Sequence, residues 1–183
     1  MNVLVACEYS GRVREAFRKK GHRAWSCDLL PTEQGIHHFQ ADVFSILNKF
    51  SWDLMIAHPP CTALCVSGNR WYANTQDRID AIHFVERLWN CGIPKVCIEN
   101  PVGVLSTQSM LGKATQYIQP WQFGHGETKK TGLWLDGLAP LQPTNIVNGR
   151  DNRIHRMAPS KDRGKLRSLT YQGIADAMAD QWG

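Results

Sequence analysis

No stretch of this 183-residue chain approaches the roughly 20 consecutive apolar residues of a membrane span, so no membrane partner is expected. The opening run Val3-Leu4-Val5-Ala6-Cys7 lacks a basic flank and is too short for a leader; it reads as a buried strand. Internal repeats and low-complexity tracts are missing, which sets aside solenoids and disordered arrays. Charge excess is missing too, over most of the chain: outside residues 150–167 acids and bases cancel. What remains is an ordinary globular composition, 43% hydrophobic and 20% charged, sized for one domain spanning 1–183.

The charge that is present is concentrated. Arg150, Arg153, Arg156, Lys161, Arg163, Lys165 and Arg167 face only Asp151 and Asp162, and together they account for the whole-chain net charge of +5. That asymmetry suits a phosphate-bearing partner; a solvated basic loop is the plainer alternative. Six cysteines are present, but nothing else suggests a disulfide framework. Cys7, Cys27 and Cys97 lie in or beside apolar runs, where a free thiol behaves as a small hydrophobe. A reduced, cytoplasmic protein is the expectation. Cys61-x-x-x-Cys65, His58 and the His37-His38 pair match no standard zinc spacing, so no metal is expected and Cys65 reads as loop packing.

Strand and helix patterns alternate from the start, which predicts an α/β fold with a mainly parallel sheet. Strands are expected at Asn2–Ala6, His22–Cys27, Asp53–Ala57 and Pro94–Ile98. Helices are expected at Gly11–Lys20, from Asp42 to Asn48, at Gln76–Asn90 and at Tyr171–Trp182. Thr115–Phe123 and Gly132–Leu135 flank Gly124-His125-Gly126 as a C-terminal β-hairpin, and Leu138–Ser168 is irregular. Open α/β sheets bind ligands beyond the carboxyl ends of their strands. Those exits carry Glu8, Asp28, the His58-Pro59-Pro60-Cys61 turn and Glu99-Asn100-Pro101.

Two of these exits carry chemistry. Two prolines stiffen the turn that sets Cys61 at a strand end, where its thiolate is placed to act as a nucleophile. Glu99 ends an apolar strand; partial desolvation there is expected to raise its pKa and let it donate a proton. In this order the two motifs resemble the cytosine-5 DNA methyltransferase family, whose Pro-Cys loop carries the nucleophile and whose Glu-Asn-Val motif carries the acid that grips cytosine.

The resemblance covers nearly the whole chain and implies a Rossmann-like fold that uses S-adenosylmethionine. Leu4–Phe17, with Glu8, Ser10 and Gly11, occupies the place of the donor loop, and Pro59 would also border the donor. Asp28 stands where the family holds the ribose hydroxyls, and Asp42 where an acid meets the adenine amine. Asp42 is equally suited to a helix cap. Phe123-Gly124-His125-Gly126-Glu127-Thr128-Lys129 is similar to a worn arginine motif, with Lys129 and Thr131 at the two arginine positions. Asn100, Lys129 and Thr131 are therefore expected on the substrate side. Tyr171-Gln172-Gly173 takes the place of the family's C-terminal Gly-Asn motif.

Departures from the pattern are specific. The loop Cys7-Glu8-Tyr9-Ser10-Gly11 keeps one glycine where the family has several, and Pro101 replaces a valine. The target-recognition domain is replaced by the basic segment 138–168, in which Arg153, Arg156 and Arg163 are expected to contact DNA. Short forms of this kind resemble those of phages and prophages. The implied chemistry is addition of Cys61 to the cytosine 6-position, which makes the 5-carbon nucleophilic, with Glu99 gripping ring nitrogen 3 and the amine. A base in duplex DNA must first be extruded. Three alternatives stay open: a single-stranded or mononucleotide substrate, a different donor group, and an inactive DNA-binding decoy or partner subunit.

Overall fold

A computed structural model describes residues 1–183. Its elements in chain order are β1 (Asn2–Ala6), α1 (Arg12–Lys19), β2 (Arg23–Asp28), β3 (His38–Gln40), α2 (Phe44–Leu47), β4 (Leu54–Ala57) and α3 (Asn69–Tyr72). There follow α4 (Gln76–Trp89), β5 (Val96–Pro101), α5 (Leu105–Gln108), β6 (Gln116–Ile118), β7 (Thr131–Asp136), α6 (Arg153–Arg156), α7 (Arg163–Ser168) and α8 (Gln172–Trp182). All seven strands form one sheet in the order β3-β2-β1-β4-β5-β7-β6. β1 to β5 are parallel to their neighbours, while β7 runs antiparallel to both β5 and β6.

Both faces of the sheet are covered, so its central strands read as continuous apolar runs rather than as alternations. Val3, Val5, Leu54, Ile56 and Cys97 face α1 and α8, and Leu4, Ala6, Met55, Val96 and Ile98 face the α4 side. In α8, Ile174, Ala175, Met178 and Trp182 recur at helical spacing and are all buried against α1 and the sheet. Full burial of a side chain such as Met178 contributes about 1.5–3 kcal/mol. Thr75 caps α4, its hydroxyl accepting the Arg78 amide at 3.4 Å.

The structure departs most clearly from the sequence-based elements in three places. β3 is an unexpected strand: it has three residues, two of them polar, and its main apolar contact is the stack of Phe39 on Trp25 at 4.8 Å. β6 and β7 pair antiparallel as the expected hairpin, but residues 119–130 connect them rather than a tight turn at Gly124-His125-Gly126. Residues 138–168 contain the two short helices α6 and α7, whose sequences show almost no apolar periodicity.

The loop between β1 and α1 is built around buried charge. Gly11 has φ 73°, and a Cβ there would lie 2.4 Å from the Arg14 guanidinium. Glycine alone meets both demands. Arg14 is fully buried; it donates to the Ser26 hydroxyl at 2.7 Å and pairs with Glu15 at 2.8 Å. It also donates to the Gln34 carbonyl, pinning the 29–37 loop over the carboxyl ends of β1 and β2.

Candidate active site

Strand register assembles the centre of the site. β4 and β5 are paired with Ala57 opposite Ile98, so one further step sets His58 beside Glu99 on the same face. There His58 Nδ1 lies 2.7 Å from Glu99 Oε2, with the two side chains only 9% and 13% exposed. Burial works against the Glu99 carboxylate, but hydrogen bonding and charge from His58, the nearby Lys129 ammonium and the Thr131 hydroxyl outweigh it. Glu99 is therefore held below the usual glutamate range, and the expectation of a raised value is corrected. Burial alone would raise the value; the neighbouring histidine reverses the sign.

Cys61 lies within electrostatic reach of Glu99 and Lys129. Its loop is compact. The amides of Leu64 and Cys65 donate to the Cys61 carbonyl at 3.0 and 2.9 Å. Buried Arg78 of α4 donates from Nε to the Ala63 carbonyl at 2.8 Å. Gly103 closes the loop onto the end of β5: a Cβ there would fall 2.0 Å from the Leu64 carbonyl oxygen. Asn100, 1% exposed, donates from Nδ2 to the Pro59 carbonyl at 3.0 Å. Its side chain thus holds the prolyl turn in place.

Cys65 does more than pack the loop. Its thiol interacts with that of Cys61 and lies 3.1 Å from the Ser67 hydroxyl. Hydrogen bonds from Cys61, Ser67 and the Gly68 amide favour the thiolate on Cys65, while donation to Cys65 and burial push the Cys61 thiol up. Both cysteines are free thiols.

The donor-side residues fall into two groups. Glu8, 4% exposed, is spent on the chain itself: its carboxylate accepts the Val13 amide at 2.7 Å and the Arg14 amide at 3.3 Å. Desolvation raises its pKa. A carboxylate at α1's first turn does what several glycines would leave to a ligand. Ser10 is buried with it and donates to Glu8 at 3.3 Å. Asp28 is half-buried at the end of β2, and its Oδ1 accepts the Leu30 amide at 2.9 Å. Asp42 is exposed, and its Oδ1 accepts the Phe44 amide at 2.8 Å, the capping role open to it from the start. Both aspartates stand within electrostatic reach of Cys7 and Cys27.

The basic segment is partly consumed. Arg153 pairs with Glu127 at 2.8 Å, Arg156 with Asp151 at 2.9 Å and Lys165 with Glu33 at 2.7 Å. Arg150 stacks on Trp121 at 3.9 Å. Lys161, Arg163 and Arg167 form no ion pair. The Tyr9 hydroxyl donates to the Lys165 carbonyl at 2.9 Å, tying α7 to the donor loop. No three histidine, cysteine or acidic side chains gather to hold a metal, and no helix is long and apolar enough to cross a membrane.

The strand order, with its one reversed strand next to β5, is that of a Rossmann-like methyltransferase fold. Solved structures bear this out. The fold is similar to that of a protein described as a DNA modification methyltransferase encoded within an E. coli prophage, at TM-score 0.51 and 14% identity over 87% of this chain. It is also similar to that of the S. pombe Dnmt2 methyltransferase, at TM-score 0.53 and 16% identity over 88% of this chain. This chain spans 55% and 57% of the lengths of those two proteins. No family model and no curated protein matches the sequence.

Proposed function

We propose that this protein methylates the 5-position of cytosine in DNA, with S-adenosylmethionine as donor and Cys61 as nucleophile. The observation that carries the reading is the meeting of Cys61, Glu99, Lys129 and Thr131 at the exits of β4 and β5 and the start of β7. Residues of three separate motifs thus stand near one another at these strand ends, where open α/β sheets bind their ligands. Cys61 passes its proton to Cys65 and adds to the cytosine 6-carbon, leaving the 5-carbon electron-rich. Glu99 takes up the base edge, and Lys129 offsets the negative charge gathered beside the thiols. Asn100 keeps the prolyl turn, and with it the nucleophile, in register.

The carboxyl end of β2 suits the ribose end of an adenosyl donor, since Leu30 engages only Oδ1 of Asp28. When bound, the donor supplies an electrophilic methyl group. Asp28 would hold the ribose hydroxyls and Asp42 the adenine amine, with Ser10, Gly11 and Pro59 around them. Replacing Asp28 by alanine is expected to weaken S-adenosylhomocysteine binding by about 1–3 kcal/mol in calorimetry. Asp42→Ala should cost less, because Asp42 is exposed and already caps α2. Wild-type protein with no affinity for any adenosyl ligand would favour the decoy reading.

The ion pairs within the basic segment favour a small nucleic-acid footprint, such as single-stranded DNA, as the second reading. Lys161, Arg163 and Arg167 are the cations free to meet phosphate. Arg156 must first leave exposed Asp151, which such pairs do readily, and Arg153 must leave Glu127, which is half-buried and also held by Tyr171. Replacing the free three by alanine should lower the slope of log affinity against log salt by roughly 0.7–0.9 per lost phosphate contact. An Arg153/Arg156→Ala variant should lower it less. A slope that neither variant changes would return the segment to the role of a solvated loop.

A further inference from the structure

We propose that His58 is the positioning residue of Glu99, holding one of its carboxylate oxygens and carrying the proton that the base edge requires. The proposal rests on the reading of Cys61 and Glu99 as cytosine machinery, but the His58–Glu99 bond exists independently of it.

The imidazole is anchored by Glu99 alone. Nδ1 is bonded to Oε2, while Nε2 is buried and has no protein partner. Buried ring nitrogens are ordinarily satisfied, and a single short bond to a carboxylate marks what this ring is held for. The groups facing the ring come from three directions. Glu99 and, through it, Thr131 and Lys129 lie on the β5–β7 side. Glu8, buried in the loop after β1, acts on the ring by charge, with Arg14 behind it. Cys61 belongs to the ring's own loop and acts on the same Glu99 carboxylate, with Cys65 behind it. Two carboxylates, buried Glu8 and largely buried Glu99, therefore flank one imidazole.

Cytosine explains why such a partner is useful. The edge that Glu99 meets offers a donor, the exocyclic amine, and an acceptor, ring nitrogen 3. An ionised carboxylate satisfies the first and repels the second. With His58 as imidazolium, a proton passes along the bond from Nδ1 to Oε2: one N–H bond breaks, one O–H bond forms, and the pair's total charge is unchanged. Glu99 becomes a carboxyl group able to donate, and His58 a neutral ring able to take the proton back. Tethering of Oε2 also fixes the carboxyl plane, so that the proton taken up by Oε2 can turn to ring nitrogen 3 while Oε1 accepts from the amine.

The test pairs an activity readout with one that needs no activity. In His58→Asn, a side-chain N–H remains available but cannot titrate. Carbon-13 spectra of the Glu99 carboxyl should show its titration moving up, toward the ordinary glutamate range, relative to wild type. Turnover should fall about 10- to 100-fold, the range for a lost orienting partner, with KM little changed. The pH–rate profiles of wild type and His58→Asn should differ in shape. His58→Gln, whose amide sits further out, should be rescued less well than His58→Asn, and thermal melts identify a variant that fails to fold. A Glu99 titration identical in wild type and His58→Asn would overturn the proposal. So would a folded His58→Asn enzyme with wild-type turnover and profile. If wild-type protein proves inactive on every cytosine substrate, the function assigned above fails, and the carboxyl titration still decides the pairing.

Discussion

Cys61→Ser is expected to bring methyl transfer down to background while leaving the melting temperature and adenosyl-ligand affinity unchanged. A serine hydroxyl holds its proton far more tightly than a thiol, and nothing at this position would generate an alkoxide. The fold should tolerate the change, because the loop is held by backbone bonds from Leu64 and Cys65 and by Arg78 on the Ala63 carbonyl, none of which involves the Cys61 sulfur. Cys65→Ser is expected to be intermediate. It removes the partner that takes the Cys61 proton but keeps a polar group of similar size beside Ser67. Nucleoside mass spectrometry after incubation with labelled donor and DNA reads both variants. Loss of product in Cys65→Ser alone would move the nucleophile by four residues.

Glu99→Gln is the second large effect. It leaves the His58 bond possible but removes the negative charge that His58 and Lys129 face. Loss of a group aimed at developing charge costs roughly 10²–10³ in turnover, and that range is expected here. Stability should respond with a definite sign. The folded-state pKa of Glu99 is depressed, so its ionised form contributes stability above the unfolded-state value of about 4.3, and that contribution fades as pH falls through the folded value. Thermal melts of wild type and Glu99→Gln should thus differ most near neutrality and converge in acid. A gap that widened on acidification would contradict the ion pair.

Much of this was legible in the sequence, and the reason differs by element. β1, α1, α4 and α8 announce themselves because each buries a continuous run or a regular face against the core. β3 was hidden because its pairing to β2, not its own residues, makes it a strand. In the site, Cys61 and Glu99 follow from motif and strand-end position, and Lys129 and Thr131 from the resemblance to the family's arginine motif. His58 was seen only as part of a turn. Its role depends on the β4–β5 register, which sets it next to Glu99; parallel strands ending in step were the available signal. Glu8 was placed on the donor because it replaced glycines, whereas its carboxylate satisfies the α1 amides. The ion pairs of Arg153 and Arg156 join segments 26 and 5 residues apart, and composition alone records the cations without their partners.

The most direct test of the central claim is a covalent trap. Protein, S-adenosylmethionine and a DNA strand containing 5-fluorocytosine are incubated together, and the products are read by intact mass and peptide mapping. After addition and methyl transfer, fluorine at the 5-position cannot leave as a proton does, so the enzyme should remain joined to the base through the Cys61 sulfur. A donor-dependent adduct mapped to the peptide containing Cys61, and absent from Cys61→Ser, is the result expected. An adduct on Cys65, or none under conditions where unmodified cytosine is methylated, would contradict the account.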